Sequence, residues 1–249
     1  MIDVNNLKSP ADEERPIICT IVGEAGLGKT TLAASFPKPA MIRTEDGTAS
    51  ISDRKDVAMF DVAKSTDDVL DQLQALAEQQ HGFKTVIIDS ITQLATMIES
   101  EIVNNDGAKS INQALGGYGA GVSAAAEVHR KIRNCLDWLM NEKGMNAVVI
   151  AHADTENLEP PDSDGFSRYT VRMHRKAVQH WVDNVDLVGF IKLKKILKGK
   201  DQKKAISTGE RIITCHPVAS HISKNRFGID QDLLFEKGKN PFADHLKIK

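Results

Sequence analysis

The sequence predicts an α/β domain with a mainly parallel central sheet flanked by helices, and three observations carry that prediction. Short apolar runs recur at Ile17 to Val22, Ala40 to Arg43, Val57 to Asp61, Thr85 to Asp89 and Ala147 to Ala151. Between several of them lie segments whose apolar residues repeat at helical spacing. The first run also leads directly into a glycine-rich turn and then a short helical segment, Thr30 to Ser35. Strands alternating with helices, and apolar enough to be buried on both faces, are the pattern of a parallel sheet covered on both sides.

Taken in order, Met1 to Arg15 is acidic and reads as a flexible N-terminal segment, with residues 16–249 forming one domain; no linker rich in Pro, Gly or Ser divides it. The first strand feeds Gly23-Glu24-Ala25-Gly26-Leu27-Gly28-Lys29-Thr30-Thr31, which fits Gly, four residues of any kind, Gly-Lys-Thr. Triphosphate oxygens need many donors converging on a small volume. A glycine turn opening a helix supplies backbone N–H groups and a favourable dipole. In this pattern Gly23 to Thr31 cradle the phosphates, Lys29 reaches the β- and γ-phosphates, and the Thr30 hydroxyl binds Mg²⁺.

The second run ends in Arg43-Thr44-Glu45-Asp46-Gly47. A carboxylate at a strand end is placed to orient or deprotonate water, which selects Glu45, with Asp46 as the alternative and turn acids as the competing reading. After Ser65 the residues Val69, Leu70, Leu73 and Leu76 share a helical face, and Ser65 with Asp68 resembles a capping box. The apolar strand Thr85 to Asp89 ends in a carboxylate 60 residues after Lys29, where it would help hold Mg²⁺ opposite Thr30. Helical spacing follows at Ile91, Leu94, Ile98 and Ile102, and again at Val128, Ile132, Cys135, Leu136 and Leu139. The fifth run ends at His152, which either senses a γ-phosphate or caps its strand.

Beyond residue 185 the pattern changes. Asp186 to Lys194 and Glu210 to Cys215 read as an antiparallel hairpin at the C-terminal side, joined by a lysine-rich connection that includes Lys198 and Lys200. From residue 189 onward there are 14 Lys/Arg against 6 Asp/Glu, and 18 against 28 before it, so the overall charge of −2 conceals a basic C-terminal region. Such a region is an electrostatic footprint for nucleic acid or a solvated lysine-rich hairpin.

Composition bounds the rest. A 249-residue chain with 41% hydrophobic and 27% charged residues is ordinary for a globular protein with a sizeable core. No apolar run approaches the roughly 20 residues needed to span a bilayer, and the N-terminus lacks a signal peptide's apolar core, so no membrane partner and a cytoplasmic location are expected. Cys19, Cys135 and Cys215 are widely spaced with no C-x-x-C pair, which argues for buried thiols over a disulfide framework or zinc site.

The phosphate loop, Thr44-Glu45-Asp46-Gly47, Val86-Ile87-Ile88-Asp89-Ser90, His152, Gly117-Tyr118-Gly119-Ala120-Gly121 and Lys224-Asn225-Arg226-Phe227-Gly228 together resemble the RecA-like core of P-loop NTPases. They resemble in particular the small phage ATPases proposed to act in single-strand annealing or recombination, and the last string looks like the KNRFG motif of bacterial RadA. The resemblance covers residue 17 to about 230. It implies an ATPase that uses ATP and Mg²⁺, with Glu45 as catalytic glutamate and His152 where relatives often carry a Gln sensor. It implies Lys224 and Arg226 as cations reaching a neighbouring subunit's nucleotide. It further implies a ring or filament of identical subunits, single-stranded DNA, and a single-strand-binding protein among the partners.

Two DNA-binding loops would fall at about Asn104 to Ser123 and Asp154 to Arg175. In the first, glycines around Tyr118 suit either a ring presented for base stacking or one packed on the core. The second is long and polar and reads as irregular; its Arg168, Arg172 and Arg175 contact phosphates or form the solvated start of a helix. Three functions follow: a DNA-coupled ATPase, with helicase or loader roles in the same class; a nucleotide-gated binding module with negligible hydrolysis; and a small-molecule P-loop kinase, for which no acceptor signature is present.

Overall fold

Burial on two faces decides the architecture. The computed structural model describes residues 15–198 and 204–246, and their side chains except those of 196–198 and 204–207. The strands are β1 (Ile18–Gly23), β2 (Pro39–Arg43), β3 (Ala58–Met59), β4 (Thr85–Asp89), β5 (Asn146–Leu158), β6 (Phe166–Val171), β7 (Leu187–Lys198), β8 (Lys204–Thr214), β9 (Lys224–Asn225) and β10 (Leu233–Phe235). The helices are α1 (Lys29–Ala33), α2 (Thr66–Glu78), α3 (Ile91–Asp106), α4 (Ala120–Lys143) and α5 (Arg175–Val182). The sheet runs β10-β8-β7-β1-β5-β4-β2-β3. From β3 to β7 every pairing is parallel, while β8 and β10 add antiparallel strands on the C-terminal side.

Along β1 the side chains alternate between two cores. Ile18 and Val22 join the α2–α5 side with Leu73, Leu94, Leu136 and Trp181. Cys19 and Ile21 join Leu32, Phe36, Phe242 and Leu246 on the opposite side. Each such Leu or Ile fully removed from water contributes roughly 1.5–3 kcal/mol. This two-sided burial is why the strands read as unbroken apolar runs. The thiols are free: Cys19 and Cys215 are buried and Cys135 is half-buried. Burial pushes the Cys215 thiol up to about 12, so it stays protonated and packs as a small hydrophobe.

Local signals set the helix ends. Ser65 Oγ accepts from the Asp68 amide at 3.1 Å, and Asp68 Oδ2 accepts from the Ser65 amide at 3.1 Å, closing the capping box of α2. α3 begins at Ser90, whose Oγ accepts from the Gln93 amide. On α4, Gly121 is dictated by packing: a Cβ there would lie 2.3 Å from the Ile111 carbonyl oxygen.

Several expectations are corrected. The third run pairs only over Ala58–Met59, because it forms a short edge beyond β2. The stretch after His152 is no irregular loop: β5 continues past the sheet to Leu158 and folds back with β6 as an antiparallel hairpin, Ala153 opposite Val171 and Leu158 opposite Phe166. The C-terminal hairpin strands are longer than expected, since β7 and β8 continue pairing out to Lys198 and Lys204. Residues 1–14 of the expected N-terminal segment, and the candidate Lys200, lie outside the described residues, as does the side chain of Lys198.

Candidate nucleotide site

Parallel pairing brings the C-terminal ends of β1, β5, β4 and β2 to one edge, because Gly23 aligns with His152, Asp89 with Ile150, and Arg43 with Asp89. The phosphate loop leaves β1 at this edge and enters α1 through Gly28, whose φ of 91° suits glycine alone. Gly23 is constrained differently: a Cβ there would meet the Ile191 carbonyl oxygen of β7 at 2.8 Å.

Lys29 is buried, and its ammonium donates to the carbonyl oxygens of Gly23 at 3.0 Å and Glu24 at 2.9 Å. Burial lowers its pKa, and the neighbouring Asp89 and Glu45 carboxylates oppose that shift. Thr30 Oγ1 donates to Asp89 Oδ2 at 2.7 Å, so the hydroxyl and carboxylate proposed as metal ligands touch. These are hard oxygen donors at a phosphate loop, a set that suits Mg²⁺. Burial raises the Asp89 pKa, with Glu45 adding to the rise and Thr30 and Lys29 opposing it.

The end of β2 is tied to the end of β4. The Thr44 amide donates to the Asp89 carbonyl oxygen at 2.8 Å, Thr44 Oγ1 donates to the Ser90 carbonyl oxygen at 2.8 Å, and the Ser90 amide returns a bond to Thr44 Oγ1 at 2.9 Å. The Asp89–Ser90 peptide is cis. This clamp sets Glu45 beside Asp89. His152 is held by its amide, which donates to Thr92 Oγ1 at 2.9 Å.

A proton chain results. Lys29 Nζ lies 3.4 Å from His152 Nδ1, and His152 Nε2 lies 3.2 Å from Glu45 Oε1. An ammonium only donates, so Nδ1 accepts and Nε2 carries the hydrogen that Glu45 receives. That hydrogen bond is the main reason the Glu45 pKa is lowered, and it keeps the carboxylate ionised at neutral pH. Asp46 instead points outward, its side chain 84% exposed and 4.0 Å from Arg43.

Glu45, Asp89, Lys29, Thr30, Thr31 and His152 line one cleft of about 530 Å³ with Ala25, Gly26 and Gly28. Arg211 and Lys237 also line it, and sequence reasoning missed both. The sole signal for Arg211 was a cation entering the apolar run Ile212-Ile213, with no motif around it.

The remaining candidates lie elsewhere. Arg226 Nη1 binds buried Asp186 at 3.0 Å, and Asp186 also accepts from Arg15 and from the Ile18 amide. Lys224 pairs through β9 with Val188 and donates to the Asp183 carbonyl oxygen. Both sit near the start of β7, at the sheet end away from their own chain's phosphate loop, so within one chain neither is a catalytic cation. Arg168 is ion-paired with Glu156 at 2.7 Å across the β5–β6 hairpin, and Arg172 donates to the Ala153 carbonyl oxygen at 3.2 Å.

Tyr118 is fully exposed with φ 50°, flanked by Gly117 and Gly119 at φ 79° and 82°, so it does not pack on the core. Arg175 opens α5, and the adjoining Lys176 donates to Ser123 Oγ at 2.9 Å, which brings the start of α5 against the Tyr118 loop.

Among the described residues no helix is long and apolar enough to cross a membrane. No curated protein matches the chain. A family model described as an AAA domain matches residues 15–227, which include the phosphate loop and every residue of the Lys29–His152–Glu45 chain. With most of its length matched and a phosphate loop on a mainly parallel sheet, the chain belongs to this AAA domain family of P-loop NTPases.

Proposed function

We propose that the chain is a Mg²⁺-dependent ATPase whose nucleotide state controls its grip on single-stranded DNA in a phage-type recombination or annealing system. The observation that carries the hydrolytic reading is the meeting, in one cleft, of the Thr30–Asp89 pair with the Lys29–His152–Glu45 chain. Thr30 and Asp89 would hold Mg²⁺, which screens charge on the β- and γ-phosphates. Lys29, released from the Gly23 and Glu24 carbonyls, neutralises the same oxygens. Glu45 accepts a proton from water, and His152 holds the carboxylate in place while its backbone is anchored by Thr92 and its ring sits between Lys29 and Glu45.

The DNA reading is supported by the exposed Tyr118 ring, by the basic start of α5 beside it, and by the lysines of β7, where Lys194 is ion-paired with Glu210 and Lys195 is exposed. Stacking and backbone attraction are the two contributions that single strands reward. Assembly into rings or filaments would bring Lys224 and Arg226 of one copy to the nucleotide of the next.

Phosphate release from ATP and Mg²⁺, with and without single-stranded DNA, tests this reading, with Lys29→Ala as control. DNA stimulation abolished in Lys29→Ala supports it. Nucleotide binding without hydrolysis in either condition moves the weight to a nucleotide-gated binding module.

A further inference from the structure

The phosphate loop is flanked differently on its two sides. Toward β5, β4 and β2 lie His152, Asp89 and Glu45; toward β7, β8 and β10 lie Arg211 and Lys237. Arg211 pairs in register with Leu193 of β7 on one side and Phe235 of β10 on the other. Its guanidinium carbon stands 5.0 Å from the centre of the Phe235 ring, a cation–π stack that holds the side chain over the loop. Its Nη1 reaches the Leu27 carbonyl oxygen at 3.4 Å. A Cβ on Gly28 would meet Arg211 Nη1 at 2.6 Å and Phe235 at 3.1 Å, so the glycine immediately before Lys29 makes room for this pair.

We infer that Arg211, braced by Phe235 and joined by exposed Lys237, is a nucleotide-binding clamp supplied by the same chain, holding the α- and β-phosphates that ADP and ATP share. The inference rests on the nucleotide reading of the cleft. A phosphate chain in the loop has its reacting end toward Asp89 and Glu45, so its other end runs toward Arg211. A guanidinium has five N–H donors, and the long bond to Leu27 occupies one, which leaves donors for phosphate oxygens. Because Arg211 lies at the base of the lysine-rich β7–β8 hairpin, nucleotide occupancy would bear directly on that hairpin.

The test is equilibrium binding of ADP and of inorganic tripolyphosphate to the full chain and to Arg211→Gln, Arg211→Lys, Lys237→Gln and Lys29→Ala, with thermal melting alongside. A charge-assisted contact predicts at least a tenfold loss for both ligands in Arg211→Gln, a smaller loss in Arg211→Lys and in Lys237→Gln, and an unchanged melting temperature for the exposed Lys237 variant. ADP affinity within twofold of the parent in both Arg211→Gln and Lys237→Gln overturns the clamp while leaving the nucleotide site standing. A loss for ADP but not for tripolyphosphate also overturns it, since the contact would then be to base or ribose. Should Arg211→Gln fail to fold, Arg211→Lys and Lys237→Gln together decide: ADP affinity within twofold of the parent in both overturns the clamp, and a loss in both supports it. ADP binding that survives Lys29→Ala instead sinks the reading of the cleft itself.

Discussion

Replacing Glu45 with Gln removes one charge and almost no volume. The amide oxygen still accepts from His152 Nε2, now 3.2 Å from the carboxylate, so the Lys29–His152 arrangement and the Thr44 clamp persist. What disappears is the proton acceptor. The Glu45 pKa is lowered chiefly by His152, so in the parent protein the carboxylate is ionised and ready at neutral pH. General-base contributions of 10²- to 10⁴-fold correspond to about 3–5 kcal/mol of barrier. Ground-state binding moves the other way, because Glu45 repels both Asp89 and the incoming phosphates. ATP affinity should therefore stay within about threefold of the parent or tighten. Single-turnover hydrolysis combined with equilibrium ATP binding reads both quantities. A single-turnover rate within twofold of the parent would refute the assignment of Glu45 as base, and exposed Asp46 is not placed to take over.

Other predictions address stability and the reassigned residues. Gly121→Ala forces a Cβ to within 2.3 Å of the Ile111 backbone and should cost about 1–3 kcal/mol in denaturant unfolding; an unchanged midpoint would show that the loop before α4 yields freely. His129, buried and accepting from Trp181 Nε1 through Nδ1, has its pKa pushed down to about 4 by burial, with His180 adding to the effect. The unfolded chain then binds the proton first, so stability should fall as pH drops from about 6.5 toward 4, by up to about 1.4 kcal/mol per pH unit from this group. Unfolding titrations of His129→Asn should show a shallower slope, and an identical slope would remove His129 as the cause. Arg226→Ala strips one partner from buried Asp186 but leaves Arg15, so a loss of about 1 kcal/mol with unchanged ADP affinity is expected. If hydrolysis also collapses, adding a hydrolysis-deficient Glu45→Gln chain with intact Arg226 should restore turnover, which would establish a role across a subunit boundary.

Much of the fold was legible because it rests on local rules. Unbroken apolar runs, buried on both faces, marked β1, β4 and the first part of β5, and the Ser65–Asp68 box marked α2, since a strand or helix end is governed by residues a few positions apart. The phosphate loop was legible for the same reason: its motif spans eight contiguous residues, and the positive φ of Gly26 and Gly28 is a local demand, although Gly23 also answers to Ile191 of β7. The hairpin of β5 and β6 was not, because polar residues such as Asp154, Glu156 and Arg168 look like a loop until paired across strands.

By itself, then, the sequence determined the α/β class, the phosphate loop and the two strand-end carboxylates, each encoded by contiguous residues. Only the tertiary structure placed Glu45 in the cleft and left Asp46 exposed, sent Arg226 to Asp186, and laid Arg211 against Leu27, 184 residues earlier in the chain. Those outcomes depend on which strands are neighbours and in what register, and hydrogen bonds between distant segments leave no periodic trace in the order of amino acids.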